Sequence, residues 1–227
     1  HKEAAVVLNV DIREFFPSIS HRRVANLFEY LNNQSKNDPE PLDLEKSDCE
    51  LLAKICTSKE RVPQGAPTSP MISNLVCLGM DKDLKNLADK NDGCTITRYA
   101  DDITISSTDK NIDIGKFIHP ISEIIHKYGF SLNRAKTRIL RRHKRQEVTG
   151  VVVNAGTNAP KIYRRLVRAQ VHNYVTATTP DSTEYRKIRG KIEWISSLNP
   201  THGRQLLKQL GSRTPKKLVK SSSKTKA

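Results

Sequence analysis

Two acids stand side by side in Tyr99-Ala100-Asp101-Asp102, at the tip of what reads as a tight hairpin. The flanking segments, Thr95-Ile96-Thr97-Arg98 and Ile103-Thr104-Ile105-Ser106, alternate β-formers with polar residues, as strands do. Adjacent carboxylates repel one another, and a bound divalent cation is the simplest group that offsets the repulsion. Aspartate is also a common turn former, so this pair alone decides nothing. The balance shifts with Val6-Val7-Leu8-Asn9-Val10-Asp11-Ile12, an apolar run that delivers a further acid near its end. Carboxylates from separate strands can bridge two Mg²⁺ ions about 3.5–4 Å apart, the geometry of phosphoryl transfer. One ion then activates an attacking hydroxyl and the other steadies a leaving pyrophosphate.

Such acids need a sheet to carry them and helices to back it. Val6–Asp11 reads as a strand and Thr95–Ser107 as a hairpin. His21–Asn32 puts Val24, Leu27, Phe28 and Leu31 on one helical face, with Ser20 as N-cap. After a polar loop over 33–45, the pattern predicts a helix over Ser47–Ser58, with Ser47 as cap and Leu51, Leu52, Ile55 and Cys56 inward. Ser69 is expected to cap one long helix over 70–90, with Pro70 in its first position. Ile112–Tyr128 reads as helical up to Gly129, followed by strands near Thr137–Leu140 and Glu147–Val153. Beyond Thr157 the pattern predicts helices over 161–176, 182–197 and 202–210, with Pro180 and Pro200 at the joins. Residues 212–227 hold six Lys/Arg and no acid, and read as a flexible basic tail.

Charge is divided unevenly. Residues 1–110 carry 14 Lys/Arg against 18 Asp/Glu, a balance of −4, while residues 111–227 carry 25 against 6, a balance of +19. An acidic, metal-binding half joined to a strongly basic half is the footprint of a polyanion-binding protein. The stretch 134–145 alone has seven basic residues and no acid. Cys49, Cys56, Cys77 and Cys94 form no CxxC pair and sit in apolar contexts, which favours a reduced, cytoplasmic setting over a disulfide scaffold or zinc site. No apolar run approaches 18 residues, so no membrane partner is expected.

The ordered set Asp11-Ile12-Arg13-Glu14-Phe15-Phe16-Pro17, Pro63-Gln64-Gly65-Ala66-Pro67-Thr68-Ser69-Pro70 and Tyr99-Ala100-Asp101-Asp102 resembles motifs A, B and C of a reverse transcriptase. Gly129–Thr137 resembles motif D, and Val148–Asn154 resembles the primer-grip hairpin. The Val148-Thr149-Gly150 triplet there is typical of retron reverse transcriptases, which make a branched RNA–DNA hybrid from their own non-coding RNA. The resemblance spans Asp11 to Asn154 and implies an α+β fold: a right-hand polymerase palm, an antiparallel sheet with helices behind it, then a small helical thumb. By that division 1–140 is palm, 141–156 the primer-grip hairpin, 157–211 the thumb and 212–227 the tail.

It further implies site residues. Asp11 and Asp101 are the primary ligands of two Mg²⁺ ions (Mn²⁺ a possible substitute), Asp102 is a ligand or tunes the site, and the Ile12 carbonyl is a backbone ligand. Phe16 is either the steric gate that admits deoxynucleoside triphosphates or a core aromatic beside Phe15. Gln64 and Gly65 line the nucleotide pocket or form an ordinary turn, and Asn74 is a groove contact or a surface amide. Lys136 is a general acid for pyrophosphate or simply a positive charge near phosphates. Arg98 contacts nucleic-acid phosphate or pairs with Asp102. Arg141, Arg142, Lys144 and Arg145 beside the hairpin bind backbone phosphates, and Arg164, Arg165, Arg168, His172, Arg186, Lys187, Arg189 and Lys191 line a thumb groove. Tyr163, Tyr174, Tyr185 and Trp194 divide between thumb core and base stacking, with core the larger share.

The implied partners are a structured non-coding RNA, its RNA–DNA hybrid, deoxynucleoside triphosphates and an antiphage effector protein, in a bacterial cytoplasm. Competing readings are a group II intron-like or other bacterial reverse transcriptase, and a non-catalytic RNA-binding scaffold with a polymerase fold. Motif A arrives at residue 11, and His1 matches the last residue of an Asn-Ala-x-x-His element that precedes motif A in retron enzymes. The resemblance therefore implies the C-terminal portion of a longer enzyme, with fingers largely absent. This 227-residue chain alone is expected to show little or no primer extension, and robust extension in a primer–template assay overturns that expectation.

Overall fold

Alternation along β1 (Val6–Asp11) sends Val6, Leu8 and Val10 to one side of a sheet and Val7, Asn9 and Asp11 to the other. In the computed structural model, which describes residues 1–177 and 181–212, this strand is interior to a four-stranded antiparallel sheet. β1 lies between β3 (Asp102–Ser107) and β4 (Arg138–Arg141), with β2 (Cys94–Tyr99) beyond β3. The register sets Asp11 opposite Asp102, Asn9 opposite Thr104 and Leu8 opposite Ile105. One face is thus aliphatic and the other carries the acids and hydroxyls. On the polar face the His1 ring bridges two strands, 2.7 Å from Ser106 Oγ and 2.7 Å from Thr97 Oγ1.

The aliphatic face forms one core with α1 (His21–Ser35), α2 (Lys46–Cys56), α3 (Ser69–Val76), α4 (Leu78–Asp89) and α5 (Ile118–Lys127), through residues such as Val24, Ala53, Ile72, Met80 and Ile121. Ser20 caps α1, its hydroxyl accepting from the Arg23 N–H. Several sequence expectations need correction. The cap of α2 is Glu45, in a capping box with Asp48, and Ser47 lies inside the helix. Its inward face is Cys49, Ala53 and Cys56, small residues that let α2 lie close to α1, so Leu51 and Ile55 are exposed. The long helix expected over 70–90 is two helices broken at Cys77, and the Ser69 hydroxyl donates to the Pro63 carbonyl at 2.5 Å instead of capping. Burial pushes the Cys77 thiol up to about 11. The segment 112–117 is not α-helical throughout: a 3₁₀ turn, Ile114–Phe117, leads into α5.

A second compact unit begins at Arg145. The strand expected over 147–153 is a short hairpin, β5 (Glu147–Val148) and β6 (Val151–Val152), reversed by Thr149 and Gly150 at positive φ. α6 (Lys161–Thr176), α7 (Ser182–Leu198) and α8 (Pro200–Gly211) share a core that includes Val167, Tyr174, Tyr185, Ile192 and Leu206. Pro200 opens α8 instead of separating helices, and Asn199 caps it through the His202 N–H. Pro180 and the tail beyond Ser212 lie outside the described residues.

Gly203 marks where α8 meets α7: a Cβ there would sit 2.6 Å from Ser196 Cα. Gly203→Ala is expected to destabilise this unit by about 1–3 kcal/mol through overpacking. Gly190→Ala on α7, where the same atom meets open space, is expected to be neutral or to stabilise by up to ~1 kcal/mol. Denaturant unfolding of both variants checks the contrast.

Candidate active site

Sheet register brings the acids together. β1 ends on Asp11 and β3 begins on Asp102, so the two residues face each other across neighbouring strands. Between β2 and β3 the chain reverses through Ala100-Asp101, with Ala100 at φ +51°. The Asp101 carbonyl accepts from the Ile12 N–H at 2.9 Å, locking the turn to β1. Asp11, Asp101 and Asp102 line one cleft of about 360 Å³ with Asn9, Val10, Lys136 and Arg138. Asp11 is buried, whereas Asp102 stands exposed at the rim.

The segment after α5 grips Asp11. The Asn133 N–H donates to the Asp11 carbonyl at 2.7 Å, and Asn133 Nδ2 donates to Oδ1 at 3.1 Å. A 3₁₀ turn, Arg134–Lys136, then carries Lys136 Nζ to 2.9 Å from Asp11 Oδ2. That hydrogen bond, together with Asp11's charge, raises the Lys136 pKa. Partial desolvation against the cleft wall, and then the charges of Asp101 and Asp11, hold the Asp102 carboxyl above its ordinary range, with Lys136 opposing. Three carboxylates therefore face one ammonium across the cleft. Hard oxygen donors with excess negative charge suit a hard divalent cation. Among the described residues no three His, Cys, Asp or Glu side chains stand as a ready-made metal shell. Both oxygens of Asp11 are engaged, by Asn133 and Lys136.

Phe16 opens a 3₁₀ turn five residues past Asp11; it is half-buried and meets Phe15 edge-on at 5.3 Å. Phe15 is the buried ring of the two and stacks on Phe130. Gln64 and Gly65 are exposed in the loop before α3, Gly65 at φ +86°. Arg98 differs from both sequence alternatives. Its side chain is only 6% exposed and pairs with Asp81 on α4 at 2.6 Å, not with Asp102, so it presents little cationic surface to a phosphate. Its donors also reach Asn74, which is therefore tied to the turn network.

Arg141, Arg142 and Lys144 are exposed around the end of β4. Arg145 is exposed in the second unit and pairs with Glu147 at 2.8 Å. On α6, Arg165, Arg168 and His172 are exposed, while Arg164 is half-buried and donates to the Ala159 carbonyl. Burial, then the charges of Arg164 and Arg168, lower the pKa of His202. Arg186, Lys187 and Arg189 are exposed on α7, and Lys191 bonds Gln170. Tyr174 and Tyr185 are core, and Tyr163 packs edge-on against the partly exposed Trp194. Asn133, Asp81 and Arg138 were not singled out from sequence. Asn133 lies 122 residues from its partner Asp11, and no local pattern signals such a contact.

An antiparallel sheet backed by helices, with three aspartates on one face, is the frame of a nucleotidyl-transfer palm. Residues 1–153 match the profile of the family described as reverse transcriptase (RNA-dependent DNA polymerase), and the chain belongs to that family. The curated proteins it is similar to are retron reverse transcriptases. The retron Mx162 reverse transcriptase of Myxococcus xanthus is 34% identical over 92% of this chain and 48% of its own length. The retron Ec86 reverse transcriptase of Escherichia coli is 31% identical over 91% of this chain and 60% of its own. The chain thus spans about half the length of the curated relatives it matches. A solved structure of Candida albicans telomerase, in complex with a fragment of telomeric RNA, shares the fold with TM-score 0.50 at 14% identity, over 89% of this chain and 40% of that one. Among the described residues no helix is long and apolar enough to cross a membrane.

The raised Asp102 pKa has a sign that can be checked. Folding holds its proton more tightly, so the folded state loses stability as pH rises through the raised pKa. Below the ordinary carboxylate range both states are protonated and the penalty disappears. Asp102→Asn is therefore expected to raise Tm in EDTA at pH 7 by about 1–3 °C, for a like-charge term of up to ~1 kcal/mol. The gain should shrink toward zero near pH 3, as thermal melts across pH would read.

Proposed function

We propose that this chain is the palm and thumb portion of a retron RNA-directed DNA polymerase. The complete enzyme extends a primer, a guanosine 2′-OH within its cognate non-coding RNA, to make RNA-linked multicopy single-stranded DNA. The observation that carries the reading is the register that sets Asp11 against Asp102 with Asp101 in the adjoining turn. Two Mg²⁺ ions, replaceable by Mn²⁺, would supply activation of the primer hydroxyl and neutralisation of the leaving pyrophosphate.

The chain's own residues divide the remaining work. Asp11, Asp101 and Asp102, with the Ile12 carbonyl, hold the cations. Lys136 shares their cleft, where its ammonium neutralises pyrophosphate or passes it a proton. The flat ring of Phe16 lies under the incoming sugar and rejects a 2′-OH, while Gln64 hydrogen-bonds the nucleotide beside Gly65. Arg141, Arg142, Lys144 and Arg145 hold backbone phosphate next to the primer-grip hairpin, and Arg164, Arg165, Arg168 and His172 do so from the thumb. The domain division follows, with palm to residue 140, hairpin 141–156, thumb 157–211 and tail 212–227. The curated relatives are bacterial, and a cytoplasmic ribonucleoprotein working with a separate effector in antiphage defence completes this reading.

The test is to purify the protein from its native host and sequence the nucleic acid that accompanies it, with and without RNase and a 2′,5′-debranching enzyme. A short DNA released from structured RNA by debranching is expected. Linear intron RNA, or RNA with no DNA attached, overturns the retron reading. In the complete enzyme, replacing Asp101 and Asp102 by Asn is expected to cut DNA synthesis by about 10³-fold or more, from several kcal/mol of lost charge stabilisation. RNA binding should persist, as gel-shift titration would show.

A further inference from the structure

Arg98 does not line the cleft, yet its side chain makes four hydrogen bonds beside it. Nε and Nη2 form a two-pronged contact with Asp81 on α4, at 2.6 and 2.7 Å. Nη1 donates to the Ala100 carbonyl at 3.0 Å, and Nη2 also reaches Asn74 Oδ1 on α3 at 3.4 Å. The guanidinium lies 5.8 Å from the Phe15 ring centroid, beside Phe16. One buried cation thus joins the segment after β1, both halves of the broken helix and the turn that carries two acids.

The contact with Ala100 matters most. The Ala100 C=O and the Asp101 N–H belong to one planar peptide, so a donor fixed on that carbonyl fixes the plane entering Asp101. The plane leaving Asp101 is fixed by the Ile12 N–H on its carbonyl. Ala100 is held at φ +51°, a conformation a non-glycine residue adopts at some cost. Something must hold the turn there, and Asp81 is what orients the guanidinium that does so.

We propose that Asp81 and Arg98 are positioning residues for the metal-binding turn: Asp81 orients Arg98, and Arg98 sets the Ala100–Asp101 peptide so that the Asp101 carboxylate meets a divalent cation. The proposal rests on the metal-binding reading of Asp11, Asp101 and Asp102. Neither positioning residue touches the reacting atoms. Arg98 cannot be replaced here by lysine, whose single nitrogen cannot serve both the Asp81 carboxylate and the Ala100 carbonyl with the planar fork's geometry.

The experiment is Mn²⁺ titration of this chain, read by the loss of free-ion EPR signal, alongside circular dichroism and thermal melting. Five variants are compared with the wild type: Asp101→Asn, Arg98→Lys, Asp81→Asn, Asp81→Glu and Leu84→Ala. Carboxylate-dependent binding in the wild type, lost in Asp101→Asn, establishes the site itself. Arg98→Lys and Asp81→Asn are expected to weaken Mn²⁺ binding by about 10–100-fold, as loss of a group that orients a metal ligand does. Asp81→Glu, which keeps a carboxylate on α4, should recover part of the loss. Leu84, buried on the same helix, separates position from stability: Leu84→Ala should lower Tm yet leave Mn²⁺ affinity near wild type. Folded Arg98→Lys with wild-type affinity overturns the proposal even if Asp81→Asn fails to fold. A wild type that binds Mn²⁺ no better than Asp101→Asn instead overturns the metal-binding reading beneath it.

Discussion

Asp11 and Asp102 face each other across adjacent strands, with Asp101 one residue away, and like charges in that arrangement repel. The sheet accepts the repulsion because β1 and β3 are also zipped along an apolar side, where Leu8 meets Ile105 and Val10 meets Ile103, all fully buried. Sliding the register by one residue would turn the acids into that core and the aliphatic side chains out of it. The hydrophobic effect therefore fixes the position of the charges. Asn133 and Lys136 reduce the repulsion locally by engaging Asp11, while the Asp102 carboxyl stays above its ordinary range, with Lys136 opposing.

The helices serve the same end from behind. α4 packs under β2, and its Asp81 reaches the guanidinium that holds the Ala100 carbonyl. Cys77 interrupts the helix between α3 and α4. Asn74 and Asp81, one on either side of it, converge on one arginine.

Much of the palm side was legible because its signals are local. Alternation marked β1 and the hairpin, Ser20 marked the start of α1, and the hairpin's strands placed Asp101 and Asp102 at its tip. The misses have physical causes. On α2 the larger residues Leu51 and Ile55 looked like the core face, but close approach to α1 selects the small residues Cys49, Ala53 and Cys56. The break at Cys77 has no proline to announce it, and Gly79 two residues on lies inside α4. Arg98, an arginine beside two acids, suggested a local pair or a phosphate contact, yet its true partner lies 17 residues back on a helix. Asn133 was hidden for the same reason: tertiary partners leave no periodic trace. In the second unit α6 was legible to the residue, and α8 began earlier than expected because Pro200 starts a helix as readily as it ends one.

Strand order has a consequence for how the molecule opens. β1 and β3 are interior strands, and β2 and β4 are the edges. Amide groups with a partner on one side only are the first to exchange with solvent, so local unfolding in this sheet starts at its margins. A margin can fray while the β1–β3 ladder keeps Asp11 and Asp102 in register. β4 and the turn before it carry Arg138 and Lys136, both of which line the cleft. The order thus gives the acids the slowest-opening floor in the sheet and gives the cations beside them a looser mounting.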